Sequence, residues 1–290
     1  MPESPSTEHA NDHRASGELS RRLHVNGVEL AWDRFGNSDG TPLVLCHGFS
    51  GSAHDFVLHI PGLAGRRTVF ALDHRGHGHS TKTGSADTYS IESLTGDMVT
   101  WLEDAVGQPV DLLGHSMGGR IALEVTLDHP ELVHSLILMD TSAGAFARAD
   151  SPTGAMFRSF MASYDPAGGL PDMTLMRGPE DDLIDATTPR DWRERKAELS
   201  AAFDPYALQG LGRELFNLES RSLGGRLGEI DRPVTVLVGS EDHPLVDQAP
   251  DLAAGIAGSE LVVIDGGYHS PQLTHAAEWR DAVEGHLARS

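Results

Sequence analysis

The chain has 290 residues, with 43 acidic side chains against 22 basic ones and a formal net charge of −21. That length can bury a core as one large domain or two small ones. The charge repels phosphate backbones and anionic bilayers, which argues against nucleic-acid and membrane partners. A single cysteine, Cys46, leaves no intrachain disulfide, which fits a reducing, cytoplasmic compartment, and no apolar run approaches the roughly 18 residues of a membrane helix.

Residues 1–20 are polar, scattered with Pro, Ser, Glu and His, and lack the apolar stretch of a signal peptide. They read as a disordered tail. Arg22 to Val25 and Val28 to Asp33, separated by Asn26-Gly27, predict a β-hairpin with a type I′ turn. Pro42 to Cys46 is an apolar run, and its Leu43 to Cys46 portion suits a strand in the middle of a parallel sheet covered on both faces. Within that strand Cys46 is expected to be a small core residue. Thr68 to Leu72 is another such strand. Ile91 to Val106 is helical, with Leu94, Met98, Trp101, Leu102 and Ala105 on one face. Val110 to Leu113 is a strand, Gly118 to Asp128 a helix and Leu136 to Met139 a strand. Short connections and strict alternation argue for a doubly wound, mostly parallel sheet.

The alternation stops at Asp140. From Thr141 to Arg232 there is no clear strand, only prolines, glycines and three helical candidates: Ala155 to Tyr164, Arg190 to Phe203 and Tyr206 to Leu223. The first places Phe157, Phe160, Met161 and Tyr164 at helical spacing; the last carries Leu208, Leu211, Leu215 and Leu218. Met156, Met161, Met173 and Met176 put half of the chain's eight methionines here, and flexible thioethers suit an adaptable apolar pocket. The predicted organisation is a tail at 1–20, an α/β core at 21–140 and 233–290, and a helical cap at 141–232. No internal repeat is evident. Sheet patterning resumes with Val234 to Val238 and Leu261 to Ile264.

Gly114-His115-Ser116-Met117-Gly118 sits between a predicted strand and a predicted helix, where Gly-x-Ser-x-Gly forms a sharp turn presenting the serine hydroxyl. The flanking glycines let strand and helix approach. Gly239-Ser-Glu-Asp242 follows one late strand, and Asp265-Gly-Gly-Tyr-His269 follows the other. The chain order is Ser116, Asp242, His269. A serine needs a base to take its proton, imidazole titrates near neutrality, and a carboxylate must fix its tautomer.

In these motifs the chain resembles the α/β-hydrolase superfamily, in its serine-nucleophile, esterase- or lactonase-like members with a helical cap. The resemblance runs from about Leu23 to the C-terminus and is weakest between Ser142 and Gly228. It implies an α/β-hydrolase fold and a triad of Ser116, Asp242 and His269. Glu241 is a neighbouring substitute for the acid, and Asp140 is a third option at the end of the sixth strand, expected instead to terminate a loop or hinge the cap. His47-Gly48-Phe49 resembles the family's oxyanion loop, with the N–H of Phe49 and that of Met117 as donors. Gly48 and Phe49 adjoin the substrate, while His47 and His115 are expected to pack and not to catalyse. Asp73-His-Arg-Gly-His-Gly-His79-Ser80 resembles a segment in which Asp73 and Arg75 tie down a loop that Gly76 and Gly78 allow to turn. Its His74, His77 and His79 lack a matching ligand set, so neither metal nor cofactor is expected.

The function so implied is hydrolysis of a carboxylic ester or lactone of an apolar small molecule through an acyl-enzyme. Phe157, Phe160 and Met161 are the candidate substrate-binding side chains of the cap. Carbon–carbon bond hydrolysis of ring-cleavage products, cofactor-free haloperoxidase or perhydrolase activity, and non-enzymatic ligand reception on the same fold stay open. So does assembly into a homo-oligomer. An aspartate nucleophile, as in dehalogenases and epoxide hydrolases, is disfavoured because a serine stands at 116.

Overall fold

The computed structural model describes residues 19–147, 151–172, 177–216 and 221–290. Met173, Met176, Leu218 and the proposed tail up to residue 18 lie outside them. One correction applies at the tail's edge: Leu19 is buried, packed against the sheet with Phe56, Leu63 and Leu287.

Eight strands form one sheet: β1 (Arg21–Val25), β2 (Val28–Phe35), β3 (Leu43–Cys46), β4 (Val69–Leu72), β5 (Val110–His115), β6 (Val133–Met139), β7 (Val234–Gly239) and β8 (Glu260–Ile264). Their spatial order is β1-β2-β4-β3-β5-β6-β7-β8. The β1–β2 and β2–β4 pairs are antiparallel and the remaining pairs parallel. Asn26 and Gly27 hold φ of 46° and 81° in the first hairpin, the positive values a type I′ turn demands.

The central strands are apolar at nearly every position because both faces are covered. Side chains still alternate. Val44, Cys46, Phe70, Leu72, Leu112, Leu136 and Leu138 face one layer, with Leu94, Met98, Trp101, Ile121 and Val125. Leu43, Leu45, Val69, Leu113, Ile137 and Met139 face the other, with Ile60, Leu63, Trp279 and Val283. The first layer holds α2 (Ile91–Trp101) and α3 (Met117–Asp128), and the second holds α1 (Ile60–Ala64) and α10 (Ala276–Leu287). The predicted helix over 91–106 changes character at Leu102, where a π-helical turn runs to Val106 and stops at Gly107, φ 71°.

Between β6 and β7 the chain forms α4 (Pro152–Ser163), α5 (Pro179–Thr187), α6 (Arg190–Ala201) and α7 (Pro205–Phe216), with no strand among the described residues. Two expectations are corrected. The last helix is described as far as Phe216 and does not include residues 221–223, where Leu223 donates its N–H to the Ala143 carbonyl at 2.7 Å. Helix α5 was not anticipated: it buries none of its residues fully, so it has no apolar stripe to read. Its start is marked otherwise, by Pro179 at the first position and Glu180, Asp181 and Asp182 in the first turn, which suit a helix N-terminus.

Polar contacts seat these helices on the core. Trp192 stacks on His54, and the two exchange hydrogen bonds: the indole N–H to the His54 carbonyl at 3.1 Å, and His54 Nε2 with the Trp192 carbonyl at 3.0 Å. Lys196 pairs with Asp55 at 2.5 Å. Asp204, at the head of α7, accepts from the Tyr89 hydroxyl and the Gly84 N–H. Helices α8 (Ala249–Ala254) and α9 (Pro271–Thr274) complete the fold, and α5 packs on α9. No helix among the described residues is long and apolar enough to cross a membrane.

Candidate active site

Ser116 stands between β5 and α3 at φ 53° and ψ −118°, a conformation a non-glycine residue holds only where its surroundings enforce it. Here the enforcement is close packing. A Cβ on Gly114 would meet backbone atoms of Gly118 and Gly119. One on Gly118 would meet the carbonyls of Cys46 and His47. The Ser116 N–H donates to the Met139 carbonyl at 2.8 Å, and its own carbonyl accepts from the Thr141 hydroxyl at 2.7 Å. The turn is therefore pinned to both neighbouring strands.

His269, in the loop after β8, bridges Ser116 and Asp242. Its Nε2 lies 3.0 Å from Ser116 Oγ and its Nδ1 2.8 Å from Asp242 Oδ2. A carboxylate can only accept, so Nδ1 carries the proton and Nε2 is free to receive the serine's. Burial pulls the half-buried imidazole's pKa down, but Asp242 and then Glu180 outweigh it and leave the pKa above its ordinary value. Burial pushes the Asp242 carboxyl up; His269 and a hydrogen bond from Asp140 reverse this and hold it below the usual range. Glu241 is exposed and meets the Ser240 hydroxyl instead. The Asp140 carboxyl is wholly buried, accepts the Gly239 N–H at 2.9 Å and lies against Asp242.

The loop after β3 closes the other side. A Cβ on Gly48 would come within 3.1 Å of both His115 Nδ1 and Ser116 Cβ, so the loop packs tightly against the serine, and a larger residue at 48 would have to push these neighbours aside. Met117 is the first residue of α3, where N–H groups have no partner inside the helix. Among the described residues nothing accepts the N–H of either Phe49 or Met117. Two free amides beside a serine hydroxyl can hold a developing oxyanion. His115 is not part of the relay: its Nε2 hydrogen-bonds the His269 carbonyl at 2.7 Å, and burial lowers its pKa to about 3. His47 hydrogen-bonds the Gly48 carbonyl through Nδ1 and accepts the His74 N–H at Nε2.

The three clustered histidines diverge. His74 meets the Cys46 sulfur at 3.0 Å, His77 the Arg75 carbonyl, and His79 both Asp73 and Arg195. Among the described residues no group of three or more His, Cys, Asp or Glu side chains is arranged to hold a metal ion. Asp73 accepts the N–H groups of Ala53 and His79, and Arg75 grips Asp97 with two bonds of 2.5 Å.

Aromatic side chains adjoin Phe49. Its ring meets Phe203 and Phe216 edge-on, and Phe216 stacks on Phe157 with centroids 4.1 Å apart. Met161 and Phe49 both reach Gly212, whose Cβ would lie 2.5 Å from the Met161 sulfur and 3.7 Å from Phe49 Cζ. Phe157 and Met161 thus join the cluster that holds Phe49, whereas Phe160 stacks on Tyr164. Two residues of this cluster, Phe203 and Phe216, escaped the sequence reading because each lies at the end of a predicted helix or off its apolar stripe. Glu180 escaped it with the whole of α5. Its Oε1 accepts the N–H of Ser270, the residue after His269, at 2.5 Å.

A family model described as alpha/beta hydrolase fold matches residues 41–276. The chain is 34% identical over 163 residues to the dihydrolipoyllysine-residue acetyltransferase component of an acetoin cleaving system from Pseudomonas putida, covering 56% of this chain but 42% of that protein. It is 30% identical over 257 residues to a pimeloyl-[acyl-carrier protein] methyl ester esterase from Neisseria meningitidis (serogroup C, serotype 2a), covering 84% and 93%. Among solved structures it resembles Est816, described as an N-acyl homoserine lactone degrading enzyme, with a TM-score of 0.70 and 26% identity over 91% of this chain and 99% of that one.

Proposed function

Because the chain belongs to the alpha/beta hydrolase fold family, we propose that it is a serine hydrolase that cleaves a carboxylic ester or lactone of an apolar small molecule. The observation that carries this reading is the single imidazole bridging Ser116 Oγ at 3.0 Å and Asp242 Oδ2 at 2.8 Å. The similarity to a methyl ester esterase and to a lactone-degrading enzyme supports the bond type. The aromatic wall of Phe49, Phe157 and Phe216 with Met161 supports an apolar substrate.

The reaction proceeds in two halves. Ser116 Oγ attacks the carbonyl carbon while His269 Nε2 takes its proton, and the carbonyl oxygen becomes an oxyanion held by the N–H groups of Phe49 and Met117. Asp242 keeps Nδ1 protonated and stabilises the imidazolium. The tetrahedral centre collapses, the C–O bond of the ester breaks, and the alkoxide leaves with the proton from Nε2. Water then enters, gives a proton to Nε2 and attacks the acyl carbon. The second collapse returns that proton to Ser116 Oγ and frees the acid. None of these steps draws on a metal or a cofactor.

Ser116→Ala tests the reading. The substitution should abolish hydrolysis across a panel of p-nitrophenyl esters, lactones and ring-cleavage diketones and leave the unfolding temperature nearly unchanged, because glycines and backbone bonds set the turn. Mass spectrometry after an organophosphonate should find one adduct, on Ser116. Full activity in the variant, or an adduct elsewhere, overturns the assignment; turnover confined to the diketones moves it to carbon–carbon bond hydrolysis.

A further inference from the structure

Asp140, at the end of β6, and Asp242, in the loop after β7, meet in a way that a Ser-His-Asp relay does not itself require. Asp140 is completely buried. Its backbone holds φ at 46°, its N–H donates to the Leu237 carbonyl and its Oδ1 accepts the Gly239 N–H, both at 2.9 Å. Its Oδ2 finds no donor among the described residues. The carboxyl sits on the same turn as Asp242: Gly239, whose N–H it holds, accepts the Asp242 N–H at its own carbonyl at 3.2 Å, and Asp242 Oδ2 already receives the His269 Nδ1–H.

Ionised carboxylates have acceptors and no donors. Two of them in contact away from water would leave a bare buried oxygen and two like charges together. One proton between them removes both costs. We propose that Asp140 carries a resident proton and donates it to Asp242, so that the acid behind His269 is a carboxyl pair bearing a single negative charge. Asp140 is then a positioning residue. It fixes the rotamer of Asp242 and limits the charge that His269 sees, and its proton stays in place through the reaction cycle.

The surrounding groups favour this placement of the proton. Burial, and next the Asp242 charge, push the Asp140 carboxyl well above the carboxylate range, and Glu180 on α5 adds to it from the cap side. Asp242 has the His269 N–H. Among the described residues, the Asp140 carboxyl has the Gly239 amide alone as a donor.

The inference rests on Asp242 acting in the proposed triad, so its test includes a readout independent of turnover. An unfolded Asp gives up its proton near pH 4, whereas native Asp140 keeps it to higher pH. The native state then binds more protons than the unfolded state, and this residue makes stability fall as pH rises from about 4 towards the native value. Asp140→Asn presents the same pattern, oxygen to Gly239 and N–H to Asp242, without titrating. Its unfolding temperature should exceed the wild type's by about 2 °C or more at pH 7.5, and the gap should close near pH 4. Hydrolysis should drop about tenfold or more in Asp140→Ala, from loss of the donor to Asp242, and return to within about threefold of wild type in Asp140→Asn. A gap that is absent, negative or flat with pH overturns the resident proton, whatever the activity. So does an Asp140→Asn variant as inactive as Asp242→Asn, since Asp140 would then be needed as a carboxylate.

Discussion

At the scale of single residues, the proposed catalysis by Ser116 turns on which nitrogen of His269 holds the proton. Asp242 sets this through the 2.8 Å contact at Nδ1. Asp242→Asn can present an amide N–H to Nδ1 and so force the proton to Nε2, the wrong tautomer for accepting from a serine. The expected loss is about ten-thousand-fold in kcat with KM little changed, measured by steady-state hydrolysis of a short ester. A loss under tenfold would remove Asp242 from the relay. Ser116 and His269 were legible in the sequence because each follows a strand that the hydrophobic pattern marks clearly. Choosing Asp242 over Glu241 rested on adjacent side chains pointing apart, and the burial of one and exposure of the other agree with it. The contact of Asp140 with Asp242 was not legible: it depends on β6 and β7 being neighbours, and strand order is a property of the folded sheet.

Helix α5 matters because of one side chain, and two effects of that side chain can be separated. Glu180 holds the Ser270 N–H, tying the cap to the loop that carries His269, and its charge favours the imidazolium. Glu180→Gln keeps an acceptor for the N–H and removes the charge. The His269 pKa should fall, so the acidic limb of kcat/KM, where activity is lost as Nε2 protonates, should move to lower pH in the Gln variant. Glu180→Ala should show the same shift and also lose part of kcat. An acidic limb that stays in place in both would mean that Glu180 acts on the backbone alone. Helix α4 makes a separate prediction. Phe157→Ala and Met161→Ala should change the ratio of kcat/KM between a short and a bulky ester by about tenfold. Phe160→Ala, with its ring on Tyr164, should lower stability and leave that ratio alone. Flat ratios in all three would place the pocket wall elsewhere. Strands and long amphipathic helices were readable because burial on one or both faces leaves a period in the sequence. Helix α5 leaves none, since its whole surface is at least partly wet.

At the scale of the molecule, the chain carries a net charge of −21, whereas the proposed reaction uses only neutral and singly charged groups. Dialysis against EDTA should leave ester hydrolysis unchanged, because in the proposed reaction the serine, imidazole and two amides supply the nucleophile and the oxyanion stabilisation. Activity lost on chelation and restored by zinc or manganese would contradict the mechanism. The placement of the helical segment between β6 and β7 has a longer-range consequence. These strands are parallel neighbours, Leu136 with Val234 through Met139 with Leu237, so the segment leaves at the C-terminal end of β6 and must cross back to the opposite edge of the sheet to start β7. Its two ends are stitched together beside α3, where the Arg120 guanidinium reaches the carbonyls of Ala143 and Arg221 and the Leu223 N–H reaches Ala143. The chain between Ala143 and Arg221 therefore departs from and returns to one place on the core. A helical segment of another length or sequence hung from these same anchors would leave the separations of Ser116, His269 and Asp242 as they are.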